Sequence, residues 1–153
     1  MSFPRGPSAL MSEIVTALQA DATLNDYVFA QTASALKYFI GVNDLAQPAA
    51  ANIPMIALRP GVPTPAQNKT GRQNGCFFSI VISKDSSTTS GALVTMDGLA
   101  ILEQIYFRFE AVIIEYFKAK GYERTGQIID PNTEISYPVF ACRGEIRAEE
   151  DFN

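Results

Sequence analysis

The stretch DGLAILEQIYFRFEAVIIEYFKAK, residues 97–120, carries the longest regular pattern in the chain and decides its fold class. Apolar side chains recur there at three- and four-residue spacing, the period of an amphipathic helix. Thr95 or Asp97 is predicted to cap the start, and Gly121 suits the left-handed position beyond the end. The predicted buried stripe contains Leu99, Leu102, Ile105, Tyr106, Phe109, Val112, Ile113, Tyr116 and Phe117.

Three more apolar residues of this helix, Ile101, Phe107 and Ile114, fall outside that stripe. They make the helix apolar over more than one narrow face. We therefore expect a second contact surface on this helix, in addition to the one that packs in the core.

The rest of the chain supplies a second helix and several strands. Met11, Ile14, Val15 and Leu18 predict an amphipathic helix over residues 8–21, capped by Ser8. Strands are predicted at residues 35–42, 53–58 and 76–83, with a last strand or strand pair at 135–148. The order predicts an α+β fold, with a mostly antiparallel sheet of about four strands and two helices packed on one face. The other face of such a sheet can stay open.

Polar segments separate these elements within one domain, residues 1–153. Residues 1–7 are predicted to be a flexible arm, and residues 147–153 an acidic tail. Residues 84–91, KDSSTTSG, are predicted to be a small solvated loop. Residues 62–75 form a long polar loop, and loops of that length are usually functional or disordered.

Composition limits the classes of partner and compartment. The net charge is −4 and the basic residues are scattered, which disfavours DNA as the primary ligand. Residues 1–7 lack the apolar core of a signal peptide, and no window is long and apolar enough to span a membrane, so folding in the cytoplasm is expected. Cys76 and Cys142 are predicted to be buried reduced thiols, with a cross-strand disulfide as the alternative.

The sequence offers no recognisable catalytic constellation. It contains no histidine, so general acid–base chemistry would need paired carboxylates. Glu103 and Glu110 are better explained as a solvated helix face, and Asp130 and Glu134 flank residues typical of a turn. No metal-ligand or nucleotide-binding motif is present. We therefore predict a non-enzymatic protein without a cofactor.

The long loop is the segment with the strongest case for a role in binding. It is polar and mildly cationic, and it lies between two apolar strands. It is predicted either to be a solvated hairpin tip or to project towards a partner and become ordered there. The candidate residues for a channel or partner contact are Thr64, Gln67, Asn68, Lys69, Arg72 and Asn74.

The order of elements resembles that of the tail terminator, or tail-completion, proteins of long-tailed bacteriophages. The segments that carry the resemblance are IPMIALRPG (53–61), GCFFSIVISKD (75–85), DGLAILEQIYFRFEAVIIEYF (97–117) and ISYPVFACRGEIRAEED (135–151). The resemblance implies a hexameric ring at the head-proximal end of the tail tube, which stops tube polymerisation and meets the head connector. It also implies that residues 64–74 approach the channel, although family loops there are often acidic and this one carries Lys69 and Arg72.

The implied partners are further copies of the chain, the tail tube protein and a head-completion or connector protein. DNA would only pass through the lumen, and the protein would reside in the virion after assembly in the host cytoplasm. The arm, the long loop and the acidic tail would become ordered on docking. Two alternatives remain: another phage neck component, or a small-molecule-binding or enzymatic α+β domain with its site on the open sheet face.

Overall fold

The structure is a computed structural model that describes residues 6–41, 49–61, 64–65, 71–122 and 126–151. Its helices are α1 (Pro7–Gln19), α2 (Ala22–Thr32) and α3 (Asp97–Lys120), with one 3₁₀ turn at Ala50–Asn52. Its strands are β1 (Lys37–Ile40), β2 (Met55–Pro60), β3 (Thr64–Pro65), β4 (Gly71–Ser83), β5 (Ser87–Ser90), β6 (Leu93–Met96), β7 (Gln127–Ser136) and β8 (Val139–Asp151).

The main sheet has the strand order β1-β2-β4-β8-β7, and the short β3 pairs with β4. The β1–β2 pair is parallel and every other pair is antiparallel. Strands β5 and β6 form a separate two-stranded sheet. The α+β class is therefore as predicted. The predicted numbers of about four strands and two helices were too low, since the described residues contain three helices and a mixed sheet with the five strands β1, β2, β4, β8 and β7 on its main path.

The helices cover one face of the main sheet. Their buried side chains form one core cluster with sheet residues that include Ile56, Phe78, Ile80, Phe140 and Ile146. The predicted apolar face of residues 76–83 is confirmed, because Phe78, Ile80 and Ile82 are all buried. The opposite face carries a smaller cluster of Met55, Ala57, Val81 and Ala141.

The long helix α3 has the predicted extent and the predicted end, but the predicted capping by Thr95 or Asp97 was wrong, since Met96 is the N-cap and no side chain caps the start. It starts at Asp97, and Gly121 ends it in the left-handed conformation at φ 76°. The first turn of α3 packs closely against the sheet at Gly98, which fixes the position of the helix along it. A Cβ atom on Gly98 would lie 2.3 Å from the ring of Phe140, so only glycine fits there without movement of the ring. Among the three off-stripe residues, Ile101 is buried, whereas Phe107 and Ile114 are exposed as predicted.

Helix α2 was missed because its pattern is weak, with only Leu24 and Val28 buried. The Asp21 carboxylate caps it by accepting a hydrogen bond from the Leu24 amide at 2.9 Å. The predicted capping of α1 by Ser8 was also wrong, since Gly6 is the N-cap and Pro7 opens the helix. Of the predicted arm, residues 1–5 lie outside the described residues.

The C-terminal segment forms two strands that are longer than predicted. Residues 127–136 and 139–151 pair as a hairpin, so residues 147–151 of the predicted acidic tail belong to β8. The turn chemistry around Asp130 produces a bulge within β7 in place of a turn, because the register shifts between Ile129 and Asn132. Asp130 has a positive φ of 49° there, a conformation that aspartate tolerates better than most residues.

Candidate assembly surfaces

The two ends of the central strand β4 carry different structures. We call the region of residues 61–75 and 147–151 the loop end. We call the region of residues 84–97, with the turn at 137–138, the hairpin end. Helix α3 begins at the hairpin end, and its C-terminal part lies close to the loop end, because Tyr116 lines a small cavity together with Asn74 and Ala148.

The predicted loop 62–75 is largely sheet in its described part. Thr64 and Pro65 pair with Gln73 and Arg72, and β4 already begins at Gly71. The candidate positions Gln67, Asn68 and Lys69 lie outside the described residues. The register places Arg72 opposite Glu150, so this part of the loop belongs to the ladder with β8.

Asn74, the last candidate of that loop, is 4% exposed and belongs to the interior. It lines a cavity of about 10 Å³ together with Glu13, Tyr116 and Tyr122. The Tyr116 hydroxyl donates a 2.6 Å hydrogen bond to Glu13 Oε2, which ties α3 to α1 beside the cavity. A space of this size holds at most about one water molecule, so the cluster joins structural elements and does not form a ligand site.

The hairpin end holds a feature that the sequence prediction missed. Residues 84–91 were expected to be a solvated loop, but Ser87–Ser90 pairs with Leu93–Met96 around Gly91 and Ala92. Gly91 has a φ of 61° while Ala92 does not have a positive φ, as in a type II′ turn. The signal in the sequence was this glycine between the short runs STTS and LVTM, both of which contain β-branched residues.

Every residue of the β5–β6 hairpin is exposed. Leu93 is 65% exposed, Val94 52% and Met96 39%, so three apolar side chains face solvent on a pair of strands that carries no charged residue. Two-stranded hairpins are marginally stable in water by themselves. Apolar residues grouped in this way are typical of a contact surface.

The base of the hairpin is firmly attached. The Asp97 carboxylate accepts 2.7 Å hydrogen bonds from the hydroxyls of Ser86 and Thr88. These hydrogen bonds lower the pKa of Asp97 below its usual value. The Tyr137 hydroxyl donates to the Asp85 carbonyl at 2.6 Å, and Lys84 Nζ donates to the Gln31 carbonyl at 2.7 Å. The direction of the hairpin is thereby fixed, although its strands are uncovered.

A second apolar surface lies on the outer side of α3. Phe107, Ala111 and Ile114 follow one another at helical spacing and are exposed, at 57% for Phe107 and 43% for Ile114. Beside them is a groove of about 720 Å³ between α1 and α3. Its lining is rich in small residues, which are Ala17, Ala20, Ala111 and Ala119. We call this region the α1–α3 groove.

The charged groups of the α1–α3 groove pair with one another. Arg108 Nε donates a 2.8 Å hydrogen bond to Asp21 Oδ2, and this contact holds the pKa of Asp21 below its usual value. Glu115 lies 3.5 Å from Lys118 on the solvent side. The groove is therefore apolar at its centre and has matched charges at its margin.

The second face of the main sheet is not an empty platform. The Arg59 guanidinium lies 4.5 Å from the ring centroid of Phe77, in cation–π geometry. Along β8, Arg143 pairs with Glu134, and Arg147 Nε donates to Glu145 at 2.7 Å. These pairs lie on the sheet face that the sequence analysis named for a possible ligand site.

The remaining candidates for chemistry have structural surroundings. Cys76 and Cys142 are buried free thiols, as predicted, and burial raises their pKa values to about 12 and about 11. Burial and a hydrogen bond with Glu110 raise the pKa of Tyr106, while Glu103 is exposed. Within the described ranges no group of three His, Cys, Asp or Glu residues is placed to hold a metal ion.

No protein-family model matches the chain, and no curated protein matches it. In the part of the chain that the structure describes, no helix combines the length and the apolar character that crossing a membrane requires.

Proposed function

We propose that this protein is a phage tail terminator, a non-enzymatic structural protein that forms a ring at the head-proximal end of the tail tube. The ring, a hexamer by the resemblance, would end tube polymerisation and offer a surface to a head-completion or connector protein. Its place would be the virion, after assembly in the host cytoplasm, and DNA would only pass through its lumen.

The observation that carries this proposal is a pair of different apolar surfaces on one chain. The hairpin exposes Leu93, Val94 and Met96, and the outer side of α3 exposes Phe107 and Ile114. A closed ring needs heterologous contacts, in which one patch of a subunit meets a different patch of the next. A chain with one exposed apolar patch would instead suit a two-fold dimer.

The order of elements gives further support. One long helix lies between a strand and a C-terminal strand pair, and the helices pack on one face of a mainly antiparallel sheet. The long helix followed by C-terminal strands is part of the element order that carries the resemblance, and the packing on one face is the one predicted from the sequence pattern. The predicted loop adds no support, since Asn74 is buried, Thr64 and Arg72 are strand positions, and Gln67, Asn68 and Lys69 lie outside the described residues.

The first test combines solution mass with microscopy. Light scattering after size exclusion, across a concentration series, should reveal a species of about six subunits, and grids of that fraction should contain rings with a central hole. Purified tail tube protein, polymerised with and without this protein, should then give capped tubes of limited length. Tubes of unchanged length distribution at saturating protein would rule out a terminator. Rings that bind head-connector protein and leave tube length unchanged would identify another neck component.

A second candidate function is small-molecule binding, which the α1–α3 groove favours by its volume of about 720 Å³. Pockets for small ligands usually have volumes of about 300–1,000 Å³. Screening a ligand library by thermal shift would separate the two functions. A ligand whose stabilising effect disappears in an Ala111→Trp variant, together with monomers at all concentrations, would favour the binding domain.

A further inference from the structure

We propose that the β5–β6 hairpin of one copy docks in the α1–α3 groove of a neighbouring copy. This inference deepens the proposed function and rests on it, because it names the two surfaces that would join adjacent subunits of the ring.

The first argument is the match in shape and charge. The hairpin protrudes, and residues 86–96 contain no charged side chain, so its removal from water requires no charge to be desolvated. The groove is concave, and its alanines leave room for larger side chains such as Val94 and Met96, which lie on the same face of the hairpin. The charged margin of the groove would not disfavour the uncharged hairpin, because Arg108 is already paired with Asp21.

The second argument is that the hairpin cannot fill its own groove. Asp97 at the hairpin base and Ile114 in the groove are 17 positions apart on one helix, which corresponds to about 25 Å at 1.5 Å per residue. Each hairpin strand has four residues, a length of about 13 Å. The base is also fixed by Asp97 and by the Tyr137 hydroxyl. A contact between the two surfaces therefore needs a second copy.

The third argument concerns the alternatives for edge pairing. β7 forms an outer edge of the main sheet, but Asp130, Pro131 and the bulge beside them interrupt its ladder, as is usual for edges protected from pairing. β1 has only four residues and starts with Lys37. Strand addition at the edges of the main sheet is thus less favourable than the docking of apolar side chains into the groove.

Cysteine cross-linking tests the contact directly. In a Val94→Cys/Ala111→Cys variant, mild oxidation at high protein concentration should give a ladder of disulfide-linked multimers. The native thiols should not interfere, because Cys76 and Cys142 are buried. The matched control is Val94→Cys/Gln104→Cys, since Gln104 is exposed on α3 but does not line the groove. We expect about tenfold more cross-linking in the first variant, because docking raises the local thiol concentration.

A mixture of two single variants sharpens the result. Val94→Cys chains mixed with Ala111→Cys chains should give mixed dimers and nothing longer, since each chain then has one half of the contact. Equal cross-linking of the groove pair and the control pair at the highest concentration would overturn the docking proposal.

Charge insertion supplies a second measurement that does not depend on disulfide geometry. Val94→Lys should weaken self-association by about tenfold or more, because a lysine would have to be buried in the groove. Ile135→Lys is the control, as Ile135 is 56% exposed and lies outside both surfaces. Equal self-association of the two variants would contradict docking.

The outcomes separate the two proposals. If the groove pair cross-links but wild-type protein leaves tube length unchanged, the docking proposal stands and the terminator proposal fails. If tubes are capped while the groove pair cross-links no better than the control, the docking proposal fails alone. A Val94→Lys variant that still forms rings but no longer caps tubes would assign the hairpin to the tube protein and overturn docking between copies.

Discussion

The loop end and the hairpin end of β4 look alike in sequence, since each is a polar segment next to an apolar strand, yet they fold differently. At the loop end, residues 71–75 join the main sheet and pair with β8, and Asn74 becomes buried. At the hairpin end, residues 87–96 pair only with each other and remain exposed. The difference depends on whether a distant strand is long enough to pair with the segment. Among the described side chains of the two ends, the exposed apolar ones lie at the hairpin end, where another molecule could bury them.

The largest expected difference between the ends is in the cost of truncating an apolar side chain. Ile146→Ala, in β8 directly beside the loop end and fully buried, should lower the free energy of unfolding by about 2–5 kcal/mol. Leu93→Ala, in the exposed hairpin, should change it by less than about 0.5 kcal/mol in the monomer. Urea denaturation at low protein concentration measures both. A cost of several kcal/mol for Leu93→Ala would mean that the hairpin packs within its own chain.

Alanine substitution of Gly98, directly beside the hairpin end, and of Gly75, at the loop end, gives the next effect. Gly98→Ala should destabilise the protein by about 1–3 kcal/mol, because the new Cβ would lie 2.3 Å from the Phe140 ring. Gly75→Ala should reduce stability less, since the new Cβ would lie 3.2 Å from its nearest neighbour, Glu145 Oε1. Thermal unfolding would compare them. Phe140→Leu in the Gly98→Ala background is the control, and a failure of the smaller side chain to recover part of the loss would argue against the clash.

A smaller effect is expected at the hairpin turn. Gly91→Ala forces an alanine to a φ of 61°, at a cost of about 1–2 kcal/mol. Hydrogen exchange of the β5 and β6 amides should accelerate by about fivefold or more, while β4 and β8 keep their protection. Ala92→Gly is the control, because Ala92 does not have a positive φ. Unchanged exchange in Gly91→Ala would mean that the strands are not held by this turn.

The smallest effect concerns acid at the base of the hairpin. Hydrogen bonds from Ser86 and Thr88 lower the pKa of Asp97. The ionised carboxylate therefore makes its full contribution to folding stability at pH values above the usual carboxyl pKa of 3.8. That contribution is lost as pH falls through the lower pKa of the folded state. A pH titration followed by NMR should place the Asp97 midpoint below 3.8, and a Ser86→Ala/Thr88→Ala variant should raise it. The same midpoint in both proteins would exclude the two hydroxyls as the cause.

Sequence patterns could predict the elements whose burial is local and periodic. The boundaries of α3, its left-handed Gly121 and the apolar face of residues 76–83 all follow from side-chain spacing. The pairing of residues 71–75 with 147–151 could not be predicted in this way, because polar residues enter a sheet only when a distant strand supplies the hydrogen bonds. Helix α2 was missed because it buries too few residues to produce a period.

The candidate surfaces were predictable in part. Phe107 and Ile114 were expected to be exposed from their position off the α3 stripe, whereas Ile101 at the same kind of position is buried near the sheet. The hairpin was not predicted because β5 consists of Ser and Thr, which are common in loops as well as in exposed strands. The α1–α3 groove could not be predicted, since it arises from alanines on two helices that are brought together only by folding.

The β4–β8 ladder has a consequence for how quickly the chain folds. It pairs thirteen residues of each strand, and the partners are about 56 to about 80 positions apart in the sequence. Closing such long loops costs conformational entropy before the central sheet can contribute its contacts. We therefore expect refolding on the slow side for a domain of this size, with helix α3 forming early and the ladder closing at the rate-limiting step. Until it closes, β4 exposes an apolar strand edge, and in that interval the unassembled chain is most vulnerable to aggregation.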